Sequence, residues 1–151
     1  MPNLKMLGLA AAVALSFAAA PLAQAGERIA YPSPVVDGLP YSGAVRAGDM
    51  VYVGGVLGTV PGKSELVPGG IQAEARQAFA HVKTILEQAG TTLDQTVKCI
   101  VLVTSVDDFA PMNEVFREVF PQSPPTRSTL VVPAIPLGAA IEVDCQALAA
   151  D

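Results

Sequence analysis

Two stretches of helical periodicity enclose one stretch of strand, and this alternation limits what the chain can become. From residue 70, Ile71, Ala75, Ala78, Phe79, Val82, Ile85, Leu86 and Ala89 recur at helical spacing, and Gly90 follows as a natural stop. Past residue 107, Phe109, Met112, Val115, Phe116, Val119 and Phe120 form a second apolar stripe. Asp107 or Asp108 is placed to cap it, Pro111 is tolerated in its first turn and Pro121 ends it. Between them runs 96-TVKCIVLVT-104, β-branched and long enough for a central strand. Each helix has a single apolar face, so both must lie on the sheet to which that strand belongs.

The rest of the chain supplies the other strands. Residues 41–45 and 50–57 read as a hairpin around Arg46-Ala47-Gly48-Asp49, and 59–68 is a loop with two prolines and a glycine. Residues 126–132 and 139–148 are strands joined by a proline turn. The order β-β-α-β-α-β-β predicts an α+β two-layer sandwich, a mixed sheet with two helices on one face. Its other face must be solvated or meet another subunit. The first helix carries Gln72, Glu74, Gln77, His81 and Glu87 on its polar side, which places His81, the sole histidine, in solvent.

At 151 residues, 51% hydrophobic and 15% charged, the chain suits one compact domain rather than a disordered segment. The first residues stand apart. A lysine at position 5, an apolar run over 6–20 and small residues around Ala25 match a secretory signal peptide cleaved after Ala25. That run is shorter than the ~20 residues of a spanning helix. We therefore expect a signal peptide at 1–25, a single domain at 26–151, and a periplasmic or secreted product that leaves the membrane after cleavage. The formal charge of −5 without a Lys/Arg cluster disfavours nucleic acid as a partner. Cys99 and Cys145, the only cysteines, could form one bridge. The strict geometry of disulfides favours the alternative, two free thiols buried in strands.

Two charges interrupt the C-terminal strands. Glu142 alternates with Ile141 and Val143, so it lies on the polar face with Asp144 and Gln146, which water alone could explain. Arg127 follows Pro124-Pro125-Thr126, so rigid backbone fixes where its side chain starts. A guanidinium there suits bidentate capture of a carboxylate, or an ordinary ion pair with an acid such as Glu142. Spacing alone leaves both open.

The residues around these charges resemble a known family. The segments 125-PTRST-129 and 141-IEVDCQALA-149 are similar to the C-terminal signature of the RidA/YjgF enamine/imine deaminases. Residues 39-LPYSGAVRAGDMVYVGG-55 resemble that family's N-terminal hairpin, 73-AEARQAFAHVKTILEQAG-90 its first helix and 107-DDFAPMNEVFREVF-120 its second. The resemblance implies a chorismate-mutase-like fold and a homotrimer with ligand clefts between subunits. It implies that Arg127 holds a substrate carboxylate, Glu142 activates water and Tyr41 lines the cleft, with Thr129, Gly55 and Asn113 as further substrate-binding positions. Thr129 replaces a common cysteine, and Gly54-Gly55-Val56 replaces a common Ser-Gly-Gln. A signal peptide is also atypical of the family.

The expected activity is hydrolysis of 2-imino or enamino acids to 2-keto acids and ammonia, as in a 2-iminobutanoate/2-iminopropanoate deaminase. A protonated imine is already electrophilic, so neither metal nor cofactor is expected. No Cys/His cluster, Ser-His-Asp set or phosphate loop points elsewhere. The alternative is a non-catalytic periplasmic trimer of the same fold that binds small carboxylates or acts as a holdase.

Overall fold

The computed structural model describes residues 27–35 and 38–150, so the expected leader lies outside the described residues. Strands β1 (Arg28–Tyr31), β2 (Ala44–Ala47) and β3 (Met50–Leu57) precede helix α1 (Gly70–Gln88). Strand β4 (Thr96–Val103), helix α2 (Phe109–Val119), and strands β5 (Thr126–Val131) and β6 (Ile141–Leu148) complete the chain. The strands form one sheet in the order β1-β2-β3-β6-β4-β5. Only the β4–β5 pair is parallel, because α2 supplies the crossover that a parallel pair requires.

The mixed sheet under two helices is the expected architecture, with one strand more. β1 pairs antiparallel with β2, and its four residues alternate too briefly to be read from sequence. The hairpin is also tighter than expected. Arg46 and Ala47 belong to β2, and the turn narrows to Gly48-Asp49, with Gly48 at φ 59. A two-residue hairpin turn needs positive φ, which glycine adopts at no steric cost. The strand starts at Ala44, which leaves Tyr41 on the preceding loop. Neither aspartate caps α2 through its side chain. Ser105 instead accepts the Asp107 N–H at 3.2 Å and closes a single 3-10 turn that leads into the helix.

Alternation in the three central strands builds the core. Val51 and Val53 of β3, Cys99, Val101 and Val103 of β4, and Ile141 and Val143 of β6 are buried against the helices. Phe79 of α1 meets Phe116 and Phe120 edge-on, with both ring centroids 5.7 Å away. Such edge contacts add to the burial that holds α1 to α2.

Glu74 and His81 correct the reading of α1. Both are buried, because the loop after β3 covers the flank of the helix that periodicity assigned to water. The Glu74 carboxylate accepts the Ala140 N–H at 2.8 Å, and His81 Nε2 donates to the Thr59 carbonyl at 2.7 Å. Gly58 lets this loop close: a Cβ there would fall 2.3 Å from the Glu74 carbonyl oxygen.

The cysteines also correct the expectation of free thiols. Cys99 and Cys145 form a disulfide, directly opposite one another on β4 and β6, with Cα atoms 4.2 Å apart. Closely spaced antiparallel pairs point both side chains to one face, a registration that no single-strand pattern reveals. Replacing both cysteines by serine should lower stability by about 2–5 kcal/mol. Thermal unfolding of the double variant checks this, and a Tm equal to that of the wild type would remove the bond from the account of stability.

Candidate active site

Arg127 lies on the helix-facing side of the sheet. β5 pairs in parallel with β4 so that Arg127 stands beside Cys99, and both point towards α2. Its Nη2 donates to Asn113 Oδ1 at 2.5 Å, and Nη1 lies 3.4 Å from Met112 Sδ. The guanidinium carbon stands 4.4 Å from the centroid of the Phe116 ring and 5.7 Å from that of Phe109. Ring faces attract a cation, and one amide fixes the plane of the fork. Partial burial lowers the pKa of the guanidinium, which nonetheless stays charged at any ordinary pH. Among the described residues no carboxylate forms an ion pair with it. It borders an open cavity of about 620 Å³ shared with Asn113, Arg117, Pro124 and Thr129.

Glu142 lies on the other side of the sheet. In β6 it alternates with buried Ile141 and Val143, and its cross-strand neighbours are Leu57 on β3 and Leu102 on β4. The β3–β6 register shifts between Val53 and Val56, and Gly55 in that bulge meets the carboxylate. A Cβ at Gly55 would sit 1.9 Å from Glu142 Oε1, so only glycine leaves the carboxylate where it is. Burial, and after it the charge of Asp144, raises the pKa of Glu142 above the ordinary value. Burial likewise raises Asp144, against the pull of Lys98. Gly55 and exposed Tyr41 border a second cavity of about 220 Å³.

The six residues singled out in sequence thus form two groups within one chain. Arg127, Asn113 and Thr129 share one cavity, Tyr41 and Gly55 share the other, and Glu142 abuts Gly55. The two charges do not meet. Sequence reasoning assigned Phe109, Met112 and Phe116 to the apolar stripe of α2 alone, and missed that they also seat the arginine. An apolar helical stripe gives no sign that one edge of it faces a cation from another strand. Among the described residues no cluster of three or more His, Cys, Asp or Glu could hold a metal.

The profile of a family described as Endoribonuclease L-PSP matches residues 35–149. The chain belongs to this family, the RidA/YjgF family. A curated family member, the 2-iminobutanoate/2-iminopropanoate deaminase of Bos taurus, is 38% identical over 109 residues, covering 72% of this chain and 80% of that one. RidA from the Antarctic bacterium Psychrobacter sp. superposes with a TM-score of 0.73 at 35% identity, covering 79% of this chain and 97% of the other. E. coli TdcF, solved with bound serine, gives a TM-score of 0.73 at 28% identity, covering 81% and 98%. The six-stranded mixed sheet with two helices is therefore the RidA/YjgF fold.

Proposed function

We propose that the chain hydrolyses 2-imino and enamino acids to 2-keto acids and ammonia, at clefts between the subunits of a homotrimer. The observation that carries this reading is Arg127, a guanidinium held by Asn113 and Phe116, paired with no carboxylate among the described residues and open to a cavity. Curated relatives named as deaminases of small imino acids support the chemistry. Because Arg127 and Glu142 lie on opposite faces of one sheet, the clamp of one subunit works with the carboxylate of its neighbour. The carboxylate-bearing face also presents Tyr52 and Leu130, both exposed, which a neighbouring subunit would cover.

In this mechanism Arg127 grips the substrate carboxylate, which fixes the adjacent C=N carbon. Glu142 takes a proton from water as the oxygen adds to that carbon, giving a carbinolamine. The same carboxyl returns the proton to nitrogen, the C–N bond breaks, and ammonia leaves as the C=O bond forms. The hydroxyl proton passes to the departing ammonia. A base with a raised pKa suits both halves of this exchange. Tyr41 closes the cleft.

The domain works outside the cytoplasm, released from a leader cut after Ala25. The buried Cys99–Cys145 bond supports this placement, since such bonds persist in oxidising compartments. The acidic charge of −5 weighs against the RNA cleavage that the family description suggests.

Imine generated in situ from L-alanine or L-leucine by an amino-acid oxidase tests the proposal. Added protein should speed keto-acid release above the uncatalysed rate. Keto-acid release no faster with the protein than without it refutes the deaminase reading. Carboxylate binding by calorimetry without turnover would then identify a binding protein.

A further inference from the structure

The second cavity has a composition unlike the first. Its walls include Val35, Leu57, Ile85, Pro136 and Leu137, and among the described residues its polar groups are hydroxyls and backbone and no charged side chain lines it. At about 220 Å³ it exceeds the ~150 Å³ that suffices for benzene in an apolar protein cavity. Gly55 borders this space and also touches the Glu142 carboxylate, so the cavity adjoins the proposed base.

Two local features mark the space. A Cβ on Gly54 would meet only the Ser42 carbonyl oxygen, at 3.9 Å, and Gly54 does not adopt the left-handed conformation. A side chain is therefore sterically allowed there, and its absence leaves room. Leu137 is the one described non-glycine residue with positive φ, at 62°, and it is 55% exposed beside the cavity. A leucine held in that conformation at a cavity rim is costly, and such strain concentrates at ligand sites.

We propose that this cavity receives the substrate side chain and selects bulky apolar imino acids, those derived from leucine or phenylalanine, over the alanine-derived one. The inference rests on the deaminase reading and adds the substrate class. Among the described residues no group lining the cavity would pair with a charged side chain, which disfavours such substrates. Each methylene in an apolar pocket is worth roughly 10-fold or more in discrimination.

The test compares kcat/KM for leucine-derived and alanine-derived imines in wild type and Gly54→Val, with Gly54→Ala as the milder variant should valine prevent folding. Thermal unfolding confirms that each variant is folded. We expect the wild type to prefer the leucine-derived imine by about 10-fold or more, and the ratio to fall in either variant. A smaller preference, or a ratio unmoved by filling Gly54, overturns the proposal. Absence of turnover for every imine defeats the deaminase reading itself, and calorimetry then judges the cavity separately. Tighter binding of 4-methyl-2-oxopentanoate than of pyruvate, lost in Gly54→Val, would uphold the cavity. Equal binding, or none, would reject it.

Discussion

Arg127→Ala is expected to lower kcat/KM for imine hydrolysis by about 10²–10³-fold. In the proposed mechanism the guanidinium holds the substrate carboxylate, and losing it would free the C=N carbon to drift from the water. A displacement near 1 Å costs about 10² in rate, and the lost charge-assisted hydrogen bonds add about 1.5–3 kcal/mol each. Arg127→Lys separates clamp from charge. A lysine would retain the charge but neither the fork nor the plane that Asn113 fixes over Phe116. Its activity should stay within about tenfold of the alanine variant. Recovery to near the wild-type rate would show that a point charge suffices and that the fork geometry is idle.

Glu142→Gln should lower kcat by about 10²–10⁴-fold while leaving KM little changed, because glutamine fills the same space beside Gly55 but cannot take a proton. The pH profile carries the same information. Burial and Asp144 raise the pKa of Glu142, and as the proposed base it must be ionised to act. The rate therefore falls as pH drops through that raised pKa. Asp144→Asn removes the repelling charge, so Glu142 ionises more readily and the acid limb of the kcat profile moves to lower pH. A limb that stays in place would assign it to another group. A Glu142→Gln enzyme with wild-type kcat would remove this carboxylate from the chemistry.

Local pattern carried the two helices and the central strand, because a stripe at helical spacing and a β-branched run each report on a single element. What stayed hidden depends on pairs of elements. His81 and Glu74 are polar positions on α1 by spacing, and only the loop after β3 decides that they are buried. Cys99 and Cys145 are 46 residues apart, and their bond follows from the register of β4 on β6. The same holds for the candidate site. Arg127 and Glu142 stand out individually as charges in apolar strands. Their facing depends on Cys99 aligning with Arg127 and Leu102 with Glu142, one on each side of the sheet. Motif resemblance grouped them because it registers residues and is blind to direction.

The opposed placement of Arg127 and Glu142 also limits the symmetry of an assembly. A two-fold axis joins one patch to its own copy, whereas the proposed clamp on one face and the proposed base on the other would call for unlike surfaces to meet. Subunits joined head to tail close into a ring when the turn between them divides the circle. Every junction then holds one arginine and one glutamate from different chains. Under the proposed division of roles such a ring would have no spare half-site at its ends, and a lone subunit would have no complete one. Its activity would fall with dilution as the ring comes apart.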